Sequence, residues 1–496
     1  MRNAGELPRR FEERVVRKIL EFGLIAAIFV AVGGFGGTPP IPRAVFEILI
    51  LLLGLILCLS PSQNDGAPWG KFLMLPATLC AWVAIQWIGS RYRKIGIDTS
   101  AIEKQGIVLV SCFTAFFVSI AVARERGSRD RLAHALICLG LFEALYGLAE
   151  YLAGWQYIWN VPRRYYLGSA TGTFFNHDHF AGFLEMILPL SLGLALYHWQ
   201  KASERVRRRR LRDFFHRLGN PEMLKCIMLL LAATLLFLAL VFSFSRMGLI
   251  SMLVSLGVMA AALLAGKNRG PVPLALVVML IAGGVAVAGW VGVEPVVKHF
   301  EELSRDDPMV RGTEGRAALW RDTLKLIREQ PWTGTGLGTF VFAFTRVQSH
   351  ELAYTVEHAH NDYLEFAADL GIPAAAVLFL AIFLIAARTF QASRVARSGR
   401  TRALALGTFA GVWALLVHGL ADFNLQIPAN AIVFSVLLGM GCAIWLESSA
   451  PASKSEPARR AIRDAGRRNE GAAGSATEVT WEPDVDLAEI KGPRSN

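Results

Sequence analysis

Apolar residues in this chain gather in long runs separated by short polar connections, not in the two-residue alternation of strands that face water on one side. Twelve runs approach the roughly 20 residues that a helix needs to cross about 30 Å of hydrocarbon. They fall at about 19–36, 44–60, 72–89, 105–122, 132–153, 178–197, 223–243, 247–265, 272–292, 370–388, 403–420 and 428–446. In lipid only helices and closed barrels pair all of their backbone groups, and runs of this length select helices. The pattern predicts an all-α polytopic membrane protein with one long polar interruption, residues 294–369, between the ninth and tenth spans. Residues 1–18 precede the first span. Residues 447–496, rich in Ala, Ser, Pro, Gly, Arg and Glu, hold too little apolar side chain to pack and read as a disordered cytoplasmic tail.

Composition agrees: 53% of the 496 residues are hydrophobic and 18% charged, against about a quarter charged in soluble domains. Lys and Arg collect in alternate connections. Arg2, Arg9, Arg10, Arg14, Arg17 and Lys18 precede the first span, and Arg124, Arg126, Arg129 and Arg131 follow the fourth. Lys201, Arg205 and Arg207 to Arg210 follow the sixth, and Arg394, Arg397, Arg400 and Arg402 the tenth. By the positive-inside rule these connections and both termini are cytoplasmic. Residues 154–177, 243–247, 294–369 and 421–427 then face outward, with Arg91, Arg93 and Lys94 the dissenting group. The net charge of +11 is therefore a topology signal. The run Arg205 to Arg212 marks a cytoplasmic loop or an anionic-lipid contact, and no nucleic-acid partner is expected.

Cys58, Cys80, Cys112, Cys138, Cys226 and Cys442 each lie within an apolar run without metal-ligand spacing. They read as small buried hydrophobes, not disulfides. The first run leaves the membrane through Gly33-Gly34-Phe35-Gly36-Gly37-Thr38-Pro39-Pro40, which lacks a small-residue cleavage pattern, so it reads as a retained signal anchor.

The polar interruption holds the candidate chemistry. Residues 315–331 read as an amphipathic helix ended by Pro331, with Trp320, Thr323, Leu324 and Ile327 on one face and Arg316 one turn earlier on that face. The helix dipole disfavours an arginine at this position, so Arg316 either snorkels or holds an anion. The spaced glycines of Pro331 to Phe340 lack the context of a nucleotide loop and read as a tight turn that allows close backbone packing. His358-Ala359-His360-Asn361-Asp362 follows. Residues two apart on an extended segment point the same way, so both imidazoles can converge on one site, while Asn361-Asp362 cap the helix that runs to Leu370. Imidazole is the side chain best matched to accept a proton near neutral pH.

A second group, Asn176-His177-Asp178-His179, opens the sixth span on the same outer side. Tyr165, Tyr166, Phe174 and Phe175 before it read as an interfacial belt rather than a sugar platform. The four histidines could in principle ligate zinc, but neither pair has the helical i, i+4 spacing of the common zinc motif, and no metal is expected. Arg246, in the tight turn Ser243-Phe244-Ser245-Arg246, must reach the interface or meet an anion. Glu143, Glu150 and Glu185 are the main intramembrane carboxylates and functional candidates by default.

In this order the pieces resemble the O-antigen ligase and polymerase superfamily over about residues 170–440. They are Gly172-Thr173-Phe174-Phe175-Asn176 through Phe180-Ala181, Ser245-Arg246, Gly315-Arg316 with Trp320, and Pro331-Trp332 with the glycines. His358-Ala359-His360-Asn361 with Tyr363-Leu364 and Gly371, and His418-Gly419-Leu420-Ala421-Asp422-Phe423, complete the set. The resemblance implies a twelve-helix inner-membrane glycosyltransferase with a long periplasmic loop. Its donor would be a glycan on undecaprenyl diphosphate, and its acceptor a hydroxyl of a glycan, a lipid or a protein. It implies inversion of the anomeric centre and no metal or other cofactor. It also implies that His360 is the catalytic histidine and that Arg246 and Arg316 are two essential arginines; His358, Asn361 and Asn176 beside them are expected to bind substrate. His177 departs from the proline- or asparagine-rich pattern often found at its position.

Chemistry agrees with those roles. A glycosyl diphosphate already carries a good leaving group, so the protein must neutralise charge developing on the bridging oxygen and take a proton from the acceptor. Two arginines suit the first task, because each offers bidentate hydrogen bonds to phosphate; His360 suits the second. The rival from another class is a transporter or flippase of lipid-linked sugars, in which the intramembrane glutamates would matter more. Repeated halves and paired broken helices would mark it, and neither is visible in the sequence.

Overall fold

A computed structural model describes residues 6–60, 69–92, 96–204, 220–265, 313–349 and 355–450. Over these residues the apolar runs become helices. They are α1 (Glu6–Gly33), α2 (Pro40–Cys58), α3 (Trp69–Arg91), α4 (Thr99–Ala123), α5 (Arg126–Ala153), α6 (His177–Glu204), α7 (Pro221–Phe242) and α8 (Arg246–Leu264). The polar interruption contributes α9 (Thr313–Glu329), α10 (Phe340–Phe344) and α11 (Asp362–Leu370), and α12 (Ile372–Val395), α13 (Gly399–His418) and α14 (Pro428–Ser449) follow. Among the described residues the only sheet is a two-residue hairpin, β1 (Tyr157–Ile158) with β2 (Val161–Pro162). Among the described residues ten helices, α2 to α8 and α12 to α14, are long and apolar enough to cross a membrane, each on an expected run. Helix α1 covers residues 19–33 of the first expected run, with Glu21 inside that stretch and Arg17 and Lys18 just before it. The ninth run at 272–292, the stretch Arg205 to Arg212 and the tail beyond residue 450 lie outside the described residues. The protein is an all-α polytopic membrane protein.

Helices α6, α13 and α14 are the most enclosed of these spans, with 94%, 78% and 83% of their apolar windows buried. Small residues let α13 approach α6 closely: a Cβ on Gly411 would stand 2.3 Å from the Met186 carbonyl oxygen. Such contacts are how membrane helices gain packing where hydrocarbon offers no hydrophobic drive. The surrounding spans expose apolar side chains outward, among them Leu55, Ile88, Leu231 and Leu384. Cys226 and Cys442 are buried as expected, but Cys58 and Cys138 lie on the exposed sides of their helices, which corrects the expectation of burial.

The two ends of the bundle differ in chemistry. At one end Arg129, 1% exposed, pairs with Glu447 at 2.7 Å, Arg400 with Asp130 at 3.1 Å, and Arg131 with Glu21. At the other, the remaining connections interlock through backbone groups. Trp159 Nε1 donates to the Gly33 oxygen (2.9 Å), Ala170 N to the Phe242 oxygen (2.9 Å), Ile97 N to the Thr335 oxygen (2.9 Å) and Asp362 N to the Gly419 oxygen (2.9 Å).

Candidate functional site

The glycine-rich turn anchors the polar segment to the bundle. Gly334 sits at φ 64°, and a Cβ there would lie 2.3 Å from the Asp369 carbonyl oxygen, so only glycine allows the approach. Thr335 N donates to the Ala368 oxygen (2.9 Å) and Gly336 N to the Asp369 oxygen (3.0 Å). From α3, Gln86 Nε2 reaches the Thr333 and Asp369 oxygens at 2.8 and 2.9 Å. This is the close backbone packing the glycine spacing implied. Burial and the neighbouring Glu365 push the Asp369 carboxyl well above the usual carboxylate range.

Helix α9 buries Asp322, Thr323, Leu326 and Ile327 and half-buries Leu319, whereas Leu324 is 41% exposed. At 100° per residue the buried stripe centres between Leu326 and Thr323, and Leu324 falls beyond its edge, which corrects the expected face. Trp320 Nε1 donates to the Ala359 oxygen at 3.1 Å. The half-buried Arg316, one turn before Trp320, therefore shares the face that meets the histidine segment.

Asn361 caps α11. Its Oδ1 accepts from Leu364 N at 3.0 Å, and its Nδ2 donates to the Leu420 oxygen at 2.7 Å. His358 Nδ1 lies 2.7 Å from Glu365 Oε1, while Glu365 Oε2 accepts from Ala359 N at 2.8 Å. Burial lowers the pKa of His358, but the Glu365 carboxylate more than offsets this and holds it above the ordinary histidine value. His360 stands at φ 46°, a left-handed backbone that costs about 1–3 kcal/mol in a non-glycine residue and is concentrated at functional sites.

That angle breaks the extended alternation, and the rings meet around Phe423. His358 stacks on its face at 4.1 Å, while His360 and His179 meet its edge at 4.8 and 4.7 Å. A phenyl ring thus occupies the point where the imidazoles converge. His177 turns elsewhere, with Nδ1 2.6 Å from the Ser243 oxygen and its ring on Tyr166. The four histidines are not brought together as a zinc site.

Behind His360 lies a buried row of titratable groups. Its Nδ1 is 3.5 Å from Asp422 Oδ1, and Asp422 Oδ2 is 3.5 Å from His418 Nε2. His418 Nδ1 is 3.0 Å from Glu185 Oε1, and Ser251 Oγ donates to Glu185 Oε2. Burial alone would raise the Asp422 carboxyl, yet the flanking His360 and His418 hold it well below the usual carboxylate range. Asp178, His418 and Asp422 also bring ligand atoms within 4.8 Å of one another. The row draws on α6, α8, α13 and the connection after it, so no local motif announces it. Its sequence signals were His360, the intramembrane acid Glu185 and, through the resemblance alone, His418 and Asp422. Ser251 belongs to α8, which begins at the exposed Arg246 and is capped by Ser245 Oγ accepting from Gly248 N at 3.1 Å.

A cavity of about 590 Å³ opens beside His360 and includes His358 and Asn176 in its wall. Arg246, Arg316 and Asn361 are not among its lining residues. It also brings in Arg43, which the sequence reading passed over; its Nε pairs with Glu47 Oε1 at 3.0 Å. Glu143 and Glu150 have a visible task. Thr173 N and Oγ1 donate to Glu143 at 2.8 and 2.7 Å, and Thr171 N to Glu150 at 3.2 Å, which ties down the segment leading to Asn176.

A family model described as O-Antigen ligase matches residues 231–379. That stretch contains Arg246, Arg316, His358, His360 and Asn361 but stops short of His418 and Asp422 and begins after Asn176. No curated protein matches the chain.

Proposed function

We propose, from the match of residues 231–379 to a family model described as O-Antigen ligase, that the chain transfers a glycan from a polyprenyl diphosphate such as undecaprenyl diphosphate to an acceptor hydroxyl. The transfer takes place at the periplasmic face of the bacterial inner membrane, with both termini cytoplasmic. His360 Nε2 takes the acceptor proton as the hydroxyl oxygen attacks the anomeric carbon. The bond from that carbon to the bridging phosphate oxygen breaks, the diphosphate leaves with the electron pair, and the anomeric centre inverts. Arg246 and Arg316 neutralise the charge arriving on the diphosphate, a task that preorganised guanidinium groups perform without a metal. Asp422 orients the imidazole through Nδ1 and stabilises the imidazolium once the proton has arrived. His358 and Asn176 bind substrate from the cavity wall, and Asn361 supports the site by capping α11.

The observation that carries this reading is His360 itself, held in a left-handed backbone on a cavity wall with Nδ1 3.5 Å from a buried carboxylate. The ion-paired arginines at the opposite end of the bundle support the orientation, since positive charge stays cytoplasmic. The loop-holding bonds of Glu143 and Glu150 weigh against the transporter alternative. The test uses purified protein in proteoliposomes with a synthetic polyprenyl-diphosphate glycan. His360→Ala lowers transfer by about 10²–10⁴-fold, the usual contribution of a general base, while donor binding persists. Unchanged turnover removes His360 from the mechanism.

A further inference from the structure

We propose that Phe35, Phe175 and Tyr166 form a stacking wall that seats the acceptor sugar of the reaction above, and this proposal rests on that glycan-transfer reading. The rings of Phe35 and Phe175 stack at 4.9 Å with 14° between their planes, and both line the cavity that contains His360. Phe175 is 46% and Tyr166 40% exposed, so neither is spent on core packing. Their surroundings set them apart from an interfacial belt, because they line a cavity that also holds polar side chains.

The wall is built at a conformational cost. Phe35 lies at φ 60° and Tyr166 at φ 56°, both left-handed like His360. Gly36 and Gly37 continue the turn at φ 70° and 72°, and Gly36 lies so close to Phe174 that a Cβ there would stand 2.8 Å from the Phe174 ring. The chain between α1 and α2 is thus bent to present Phe35 to the cavity.

Polar residues line the cavity beside the wall. Gln426 is 7% exposed; its Oε1 accepts from Gln105 Nε2 at 2.9 Å, yet its own Nε2 has no partner among the described residues. His179, 6% exposed on the same cavity, likewise has an unpartnered Nε2. Both residues line the cavity, which gives its wall polar side chains beside the rings. The lining also includes Glu357, Asp322, whose carboxylate is held by Lys325 at 2.7 Å and by Ser349 Oγ at 2.7 Å, and Arg43, whose guanidinium is paired with Glu47. A diphosphate would meet the Glu357 carboxylate here, with no unpaired guanidinium in the lining to offset it. A pyranose matches instead: its C–H face lies on the rings, and its hydroxyls bond to amides and carboxylates. The donor diphosphate belongs with Arg246 and Arg316, outside this lining, which leaves the acceptor sugar as the occupant with its hydroxyl at His360.

The test uses full-length protein in nanodiscs, a saturating synthetic polyprenyl-diphosphate glycan as donor, and two acceptors in separate arms. One is a lipopolysaccharide core oligosaccharide and the other a free oligosaccharide of the donor's own repeat unit. Phe175→Leu and Phe35→Leu raise the KM for the productive acceptor by about tenfold, the loss of one good stacking contact, with kcat changing far less and donor KM unmoved. Phe175→Trp restores the acceptor KM, which a merely structural role would not predict. An unchanged acceptor KM in both leucine variants, or a rise confined to donor KM, overturns the proposal. Saturation-transfer NMR with the same oligosaccharides and no donor reads the site without turnover. Ring-proton signals on the wild type that vanish in Phe175→Leu support the wall even if no transfer occurs, and silence from wild type with both oligosaccharides overturns it.

Discussion

His360 takes up a backbone angle that costs an L-residue energy, and the groups around it explain how it is kept there. Asn361 is fixed as the cap of α11, Ala359 N is bound by Glu365, and Phe423 blocks the ring on one side. If Arg246 and Arg316 hold phosphate by paired hydrogen bonds, lysine cannot replace them. Arg246→Lys and Arg316→Lys should each lower turnover by about 10²-fold, and normal turnover in either would show that it does not grip the diphosphate. The His358–Glu365 pair gives a pH signature. Because the folded pKa of His358 is raised above 6.5, its contribution to stability is complete below that value and fades as pH rises through the raised one. The gap in melting temperature between wild type and His358→Gln should therefore be widest in mild acid and narrow on going alkaline. A gap independent of pH would mean that the pair carries no charge. At this scale the sequence was informative where polar residues cluster locally, as in His358, His360 and Asn176. It was silent on Asp422 and His418 beyond a family resemblance, because their meaning comes from neighbours on other helices. Arg43 passed unnoticed because an arginine at the start of a span resembles any interfacial anchor.

Element by element, the spans were legible because about 20 apolar residues in series admit one structure in lipid. Shorter features were less so. The hairpin at 157–162 has strands of two residues, too few for any alternation to register, and the face of α9 was misplaced at Leu324 because one residue turns the helix by 100°. The turn from Pro331 to Gly338 was read correctly from its glycines, and it makes the sharpest prediction at this scale. Gly334→Ala places a methyl 2.3 Å from the Asp369 oxygen at a left-handed φ. It should destabilise the protein by about 2 kcal/mol or more, seen as a lower melting temperature in detergent. A variant as stable as wild type would mean that the turn is not the anchor between the polar segment and α3.

Across the whole molecule, two ends of opposite chemistry predict a sidedness that can be measured. With the six cysteines replaced, a cysteine at Thr38 should react with an impermeant maleimide in intact spheroplasts, and one at Ser398 only after lysis. The reverse pattern would put His360 in the cytosol and end the proposed chemistry. The same two ends differ in backbone economy. Among the described residues the non-glycine positions with left-handed φ are Phe35, Trp159, Tyr166, Phe244 and His360, and all five sit in connections at the cavity end. Selection for heat tolerance would reward their replacement by glycine, which adopts such angles freely. At Phe35, Tyr166 or His360 such a gain would remove part of the proposed wall or the proposed base, so hardier variants of that kind should be poorer catalysts.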